Sequence, residues 1–148
     1  MARGNRGNAV HGWLVIDKAL NISSARVVSK AKKFLNAAKV GHGGTLDPLA
    51  TGLLPLAFGE ATKTVSYMMA GKKEYKFTVS WGSNTDTDDA EGIVIKTSDV
   101  RPSKAQIEAI LPQFIGDIQQ VPPIYSAIKV DGKRAYSLAR KEKKIKLE

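Results

Sequence analysis

The 148-residue sequence contains no cysteine. This absence excludes disulfide bonds, zinc sites built from thiolates and catalytic thiols. Long apolar runs are missing too: residues 53–58 are among the longest, whereas a membrane-spanning helix needs about 20 apolar residues. The basic first segment, MARGNRGNAVHGW, lacks the apolar stretch and the small-residue cleavage site of a secretory signal. We therefore expect a cytoplasmic protein with no membrane partner.

Negative charge is scarce relative to positive charge. The chain has 23 Lys and Arg residues against 14 Asp and Glu residues, which gives a net charge of +9. Such a surplus favours a polyanionic partner, because basic side chains at a phosphate backbone release counterions. Solubility alone is the alternative explanation. The surplus is also uneven, since residues 133–148 carry seven basic and two acidic residues while residues 86–91 are mainly acidic.

No metal-binding pattern is complete in this sequence. Residues 86–92, DTDDAEG, imitate the start of a calcium loop, but its fifth position is Ala90 and its twelfth is Thr97 instead of glutamate. An acidic hairpin turn explains the segment better. We expect no metal and no cofactor.

The glycine-rich stretch GHGGTLDPLATG, residues 41–52, invites comparison with phosphate-binding loops. A dinucleotide fingerprint would need glycine at position 46, which is Leu46, and no Gly-Lys-Ser/Thr follows. Asp47 then has two readings: it forms a turn before Pro48, or it is a reactive carboxylate. Its place between a basic helix and an apolar run predicts partial desolvation. Without a second carboxylate nearby, Asp47 could act as a nucleophile or stabilise positive charge at a sugar C1′.

Helical and strand patterns are mixed without a regular alternation. The main predictions are a buried strand at residues 13–16 and a strand at 75–81 that alternates Tyr75, Phe77, Val79 and Trp81 with polar residues. A helix at 25–38 is predicted with Ser24 as its cap, an apolar stripe (Val27, Val28, Ala31, Phe34, Leu35, Ala38) and a basic face (Arg26, Lys30, Lys33, Lys39). Other predictions are a helix at 60–70 ended by Gly71 with Ala61, Val65, Met68 and Met69 inward, a helix begun by a Ser103–Gln106 capping box and ended near Pro112, a strand at 124–130, a turn at Asp131–Gly132 and a helix at 135–144. This mixture predicts one α+β domain with a mainly antiparallel sheet flanked by helices.

Four motifs in this chain closely resemble those of bacterial tRNA pseudouridine-55 synthases, the TruB family. They occur in family order, and the match extends from Trp13 to Lys141: GHGGTLDPLATGLLPLAFGEATK, KKEYKFTVSWG, SNTDTDDAEG and VPPIYSAIKVDGKRAYSLAR. The resemblance implies a pseudouridine-synthase fold, with residues 1–148 as the N-terminal portion of the catalytic domain. It also implies a bacterial enzyme that isomerises uridine 55 in the tRNA T-loop, by breaking the C1′–N1 bond and joining C5 to C1′.

By position, the resemblance assigns roles to five residues. Asp47 matches the catalytic aspartate, and Tyr75 matches the tyrosine that packs on the target base and assists proton transfer at C5. His42 matches a residue that contacts the flipped nucleotides, and Gly43 and Gly44 let the RNA approach the backbone closely. Tyr75 also has a structural reading, because it shares its predicted strand face with other apolar side chains. The implied partner is the tRNA T-stem-loop, bound by a monomer.

The chain departs from the family pattern in two places. Ala19 follows Lys18 where the family usually has proline, which puts only the local turn in doubt. No Gly-Thr-Tyr-Ile/Val-Arg segment follows, although its arginine pairs with the catalytic aspartate in the family, and the C-terminal RNA-binding domain is absent as well. We therefore expect the 148 residues alone to be weak or inactive. A non-catalytic tRNA-binding or tRNA-folding module is the alternative function.

Overall fold

The structure, a computed structural model, describes residues 7–120, 129–130 and 133–134. Contacts divide the chain into two units, Met1–Tyr75 and Lys76–Glu148. The first contains β1 (Gly12–Lys18), α1 (Ser24–Phe34), β2 (Val40–His42), β3 (Gly52–Phe58), a 3-10 helix (Gly59–Thr64) and α2 (Val65–Ala70). The second contains β4 (Ser83–Thr85), β5 (Val94–Thr97), α3 (Lys104–Ile110), a 3-10 helix (Leu111–Phe114), β6 (Lys129–Val130) and β7 (Lys133–Arg134). The expectation of a single domain stays a prediction.

A three-stranded antiparallel sheet forms the centre of the first unit. Its order is β1-β3-β2, and β3 pairs with β1 from Gly12↔Phe58 to Lys18↔Gly52 and with β2 from Val40↔Phe58 to His42↔Leu56. The buried core joins β3 to α1 and to the segment after that helix: Val27, Ala31, Ala37, Leu54, Leu56 and Phe58. Within the described residues, all pairs of named strands are antiparallel. Together with the helices, this confirms the α+β prediction.

Helix α1 is shorter than its sequence pattern predicts, and its cap is a different residue. Ser23 is the N-cap and accepts a hydrogen bond from the Arg26 N–H at 3.3 Å, so the prediction of Ser24 as the cap is wrong. The helix ends at Phe34 and not at residue 38, because Asn36 adopts a left-handed backbone (φ 45). The Asn36 N–H donates to the Lys33 carbonyl, and the Ala37 N–H donates to the Lys32 carbonyl. These two hydrogen bonds end the helix.

The apolar stripe of α1 is only partly buried as predicted. Val27 and Ala31 are buried, and Val28 and Leu35 pack against the core. Phe34, the last helical residue, is 88% exposed, so its predicted burial is wrong.

Strand β1 forms where the sequence predicts a strand, but it is not buried. Trp13, Leu14 and Val15 are exposed, and only Lys18 at its end is fully buried. β1 lies at the edge of the sheet, and of its apolar side chains only Ile16 packs against the core.

The helical segment at 60–70 has two parts instead of one. A tighter 3-10 helix, Gly59–Thr64, leads directly into α2, which ends at Gly71 as predicted. Ala61 and Val65 are half-buried, and Met69 is exposed, so its predicted inward orientation is wrong. Met68 is 45% exposed, but its side chain packs against Gly43 as an inward residue would. Among the described residues, no helix has both the length and the apolar character needed to cross a membrane.

The strand predicted at residues 75–81 is not formed. Residues 72–80 carry no helix or strand, and the four alternating side chains are all exposed (Tyr75, Phe77, Val79 and Trp81). An alternating pattern needs a neighbouring strand to accept its ladder of hydrogen bonds. No such neighbour pairs with this segment in the described part of the chain.

Local predictions in the second unit fare better. β4 and β5 form an antiparallel hairpin whose turn contains the acidic residues 86–91, which confirms the hairpin interpretation. The capping box of Ser103 and Gln106 begins α3, and the helix tightens into a 3-10 turn at Pro112. Of the strand predicted at 124–130, only Lys129–Val130 lies within the described residues. The turn at Asp131–Gly132 and the helix at 135–144 lie outside them.

Candidate functional site

The glycine-rich stretch forms a loop, residues 43–51, between β2 and the central strand β3. The Gly43 N–H still donates to the Pro55 carbonyl at 2.8 Å, one residue after β2 ends at His42. Because the N–H and C=O of a strand residue point to the same side, the N–H that proline lacks would also have faced Gly43. Pro55 therefore leaves the ladder incomplete at this point, and the chain departs from the sheet into the loop.

Ser24 anchors the loop from the first turn of α1. Its hydroxyl donates to the Leu46 carbonyl at 2.9 Å and accepts from the Leu46 N–H at 2.9 Å. Ser24 is 3% exposed, and the Leu46 side chain packs against the core. Both main-chain polar groups of the residue before Asp47 are therefore fixed.

Lys18 anchors the other side of the aspartate. Its side chain is 1% exposed, and its Nζ donates to the carbonyls of Ala19 (3.0 Å), Ile22 (2.8 Å) and Pro48 (3.4 Å). A buried charge is tolerated when it is well hydrogen-bonded, as here. The Asn21 N–H also donates to the Pro48 carbonyl at 2.8 Å, from a left-handed backbone (φ 61) that asparagine adopts readily. The turn at 19–21 thus forms with alanine in place of the family's proline.

Asp47 is held by its main chain while its carboxylate is free. The peptide plane before it contains the Leu46 carbonyl that Ser24 binds. The plane after it contains the Asp47 carbonyl, which accepts from the Ala50 N–H at 3.0 Å. The carboxylate makes no hydrogen bond or ion pair with the described residues, and Asp47 is exposed, so the predicted desolvation is wrong. The loop therefore fixes the main chain on both sides of Asp47 and leaves the residue exposed to solvent.

His42 lies at the last position of β2, opposite Leu56. The residue is half-buried, and its buried Nδ1 has no hydrogen-bond partner among the described residues. A buried imidazole nitrogen without a partner costs free energy, so this atom is available for a further contact.

The two glycines of the loop occupy different environments. Gly43 is buried, and a Cβ there would come within 2.8 Å of Met68 Cγ on α2 and 3.3 Å of Pro55 Cγ. Gly44 has open space around it, but its φ of +150 is one that other residues rarely adopt. Gly43 is therefore required for packing and Gly44 for backbone conformation.

Tyr75 is not hydrogen-bonded to this loop among the described residues. It lies beyond α2 and is 68% exposed. Its exposure argues against the structural reading as a core residue. The fold thus places Gly43, Gly44 and Asp47 in the loop and His42 immediately before it, whereas Tyr75 lies beyond α2.

Two other features do not contribute to the loop. A cavity of about 670 Å³ lies between β1 and α1, is mostly apolar, and includes no residue of the loop. No group of three or more potential metal ligands is found among the residues that the structure describes.

Lys18, Ser24 and Pro55 support the site without having been predicted to do so. Ser24 contacts a residue 22 positions away and Lys18 one 30 positions away. The only signals in the sequence are a lysine that ends an apolar strand and a second serine after the helix cap. Neither reveals its distant partner.

Known proteins share the part of the sequence that contains the Asp47 loop. The family described as "TruB family pseudouridylate synthase (N terminal domain)" matches residues 32–148. The "tRNA pseudouridine synthase B" of Rhodospirillum rubrum is 60% identical over all of this chain and 48% of its own length. The protein of the same name from Gluconacetobacter diazotrophicus is 62% identical over 93% of this chain and 45% of its own length. The chain thus spans about half the length of the curated relatives that it matches.

A solved structure shows the same fold at lower identity. A chain in the crystal structure of a Cbf5–Nop10–Gar1 complex aligns with 86% of this chain and 38% of its own length, with 26% identity and a TM-score of 0.52. The expected fold is confirmed by this likeness, and the family match includes the whole of the Asp47 loop. The chain therefore belongs to the TruB family of pseudouridylate synthases.

Proposed function

We propose that this chain supplies the catalytic aspartate of an enzyme that converts uridine 55 in the T-loop of tRNA to pseudouridine. The observation that carries the proposal is the Asp47 loop, in which both flanking peptide planes are fixed and Asp47 is exposed to solvent. Membership of a pseudouridylate synthase family supplies the reaction class. We propose that the enzyme acts in the cytoplasm as a monomer.

The reaction is an isomerisation in which no atom is gained or lost overall. The C1′–N1 bond breaks, the uracil turns, and C5 bonds to C1′. C5 then loses its proton and N1 takes one up. Asp47 either adds covalently or assists cleavage at C1′, and in both cases an exposed carboxylate on a fixed main chain suits attack on a sugar presented from solution.

The target uridine must leave its stack before its C1′ is accessible, so the enzyme flips the base. We assign Tyr75 to stacking on the flipped base, a contact worth about 1–3 kcal/mol, and to assisting proton transfer at C5. Its exposure leaves the ring available for such a contact. We also assign His42, which is half-buried at the start of the loop, to contact with the flipped nucleotides, and Gly43 and Gly44 to close approach of the RNA, with Gly44 the more accessible of the two.

Positive charge beside the loop fits an RNA substrate. Ser24, which binds the loop, begins α1, and the basic face of that helix is exposed (Arg26, Lys30 and Lys33). Phosphates of the T-stem would be attracted to this face, and binding would weaken as salt is added.

The alternative is a non-catalytic module that binds or folds tRNA. It is favoured by one observation: no cation pairs with Asp47 among the described residues. A carboxylate without its charge partner lacks one determinant of its orientation and ionisation. We accordingly propose that residues 1–148 alone have little or no synthase activity.

Replacing Asp47 by alanine in the longest form that the gene encodes separates the two functions. Tritium release from tRNA labelled at uridine C5 measures turnover, and filter binding measures affinity. We expect turnover to vanish while binding persists. The matched control is Asp99→Ala, which removes an exposed carboxylate from the second unit. If neither turnover nor binding changes in Asp47→Ala, the residue only forms a turn.

The activity of the isolated 148 residues is a separate measurement. The same tritium assay compares them with the longest form at equal concentration. Turnover at full rate by the shorter chain would refute the proposal that it is inactive alone, and would leave the role of Asp47 intact.

A further inference from the structure

Ser24 lies outside the four family motifs, yet its side chain hydrogen-bonds the main chain of the Asp47 loop directly. Its single hydroxyl binds both the carbonyl and the N–H of Leu46, each at 2.9 Å. The serine is nearly inaccessible, so water has little access to replace it. Loss of the hydroxyl would leave two main-chain groups without a partner.

The geometry of the peptide bond extends this contact to Asp47. The Leu46 carbonyl oxygen and the Asp47 Cα lie in one planar peptide unit. A hydrogen bond that fixes the oxygen therefore fixes the direction from which the chain enters Asp47. The Ala50 N–H fixes the following plane in the same way, and the two together determine where the Asp47 Cβ points.

We infer that Ser24 is a positioning residue for the carboxylate of Asp47, an inference that rests on the proposed synthase function. Ser24 touches Leu46 and not the reacting atoms, so it acts through the loop. Its place in the first turn of α1 ties the loop to the most regular helix of the first unit.

Ser23 provides a matched control because it is the adjacent residue with a different task. Its side chain caps α1 by accepting from the Arg26 N–H, and its hydrogen bonds among the described residues are all to α1 and none to the loop. Ser23→Ala weakens the helix start, whereas Ser24→Ala removes the loop anchor. A general loss of α1 stability would affect both variants alike.

The experiment compares Ser24→Ala, Ser24→Cys and Ser23→Ala in the longest form that the gene encodes, with T-stem-loop RNA as substrate. We expect Ser24→Ala to lower kcat by about 10- to 100-fold, the cost of a small misplacement of a reacting group, while KM stays close to that of the parent. Ser24→Cys keeps the side-chain volume but hydrogen-bonds weakly, so it tests the same loss if the alanine variant fails to fold. Ser23→Ala should retain kcat.

Amide hydrogen exchange supplies a readout that does not depend on activity. The Leu46 N–H should exchange faster in Ser24→Ala, while the Val27 N–H, bonded to the Ser23 carbonyl, stays protected. Faster exchange at Leu46 with unchanged kcat would overturn the positioning role and leave the loop contact as structural only. Equal loss of kcat in Ser23→Ala and Ser24→Ala would overturn it as well. Full activity of Asp47→Ala, in contrast, would remove the proposed function itself.

Discussion

Replacing Lys18 by methionine tests whether the buried ammonium stabilises the turn beside Asp47. The variant keeps an unbranched apolar stem and removes the three hydrogen bonds to the Ala19, Ile22 and Pro48 carbonyls. The Pro48 carbonyl keeps the Asn21 N–H at 2.8 Å, so two acceptors lose their close partner.

The expected loss of stability follows from these two acceptors. An unsatisfied buried group costs about 1–3 kcal/mol, which gives roughly 2–6 kcal/mol for two. Removing the buried charge returns part of this, because the ammonium no longer has to be desolvated. Ala19 is exposed, so water reaches at least one of the carbonyls. We therefore expect a net loss of about 2–3 kcal/mol, or a fall in Tm of about 10–20 °C for a unit of this size.

Urea unfolding followed by tryptophan fluorescence measures the change, since Trp13 lies on the same strand as Lys18. Lys76→Met is the control: it removes an exposed lysine from a segment without helix or strand, and should shift stability by less than about 0.5 kcal/mol. Equal midpoints for the two variants, at unchanged m-values, would show that the ammonium contributes nothing and would refute the reasoning.

Two further predictions concern the loop and the neighbouring 3-10 helix. Gly44→Ala should lower stability by about 1 kcal/mol because of the φ of +150, with no steric clash; unchanged urea midpoints would contradict this. Lys63 lowers the pKa of the exposed Glu60, chiefly through their side-chain hydrogen bond, so Lys63→Met should raise that pKa toward its ordinary value in an NMR titration. Because the folded pKa is the lower one, this pair stabilises the fold above the unfolded pKa of Glu60, and the contribution is lost as pH falls through the folded pKa. A titration curve that is the same in both proteins would contradict the assignment.

The elements that the sequence predicts well are those set by neighbouring residues. The capping box of Ser103 and Gln106 joins residues three apart, and the acidic turn at 86–92 closes within its own hairpin. The middle of helix α1 is predicted correctly, because the spacing of its apolar residues indicates a helix. Its C-terminal end is predicted wrongly, because the left-handed backbone of Asn36 ends the helix early. A pattern of apolar residues contains no record of such a backbone conformation.

Elements that depend on distant partners are predicted less well. Residues 75–81 have the alternation of a strand, but alternation does not supply the neighbour that a strand needs. Conversely, β3 is the central strand although Pro55 argues against one, because the missing N–H falls where β2 has already ended. The loop and Asp47 are predicted from local composition and family motifs, whereas their anchors, Lys18 and Ser24, are not.

The main chain of Asp47 is ordered before any partner binds, whereas its side chain can still rotate. Ordering the main chain of one residue costs about 1–2 kcal/mol. At Asp47 that cost is covered when the protein folds, through Ser24, Lys18 and Ala50. What remains is the freedom of the side chain: a choice among three staggered χ1 rotamers, which amounts to about 0.65 kcal/mol from RT ln 3, and a broad rotation of the carboxylate about χ2. A substrate, or a cation that pairs with the carboxylate, would therefore have to order only this side chain. Under the proposed function, such a partner contributes by orienting the carboxylate and not by ordering the loop.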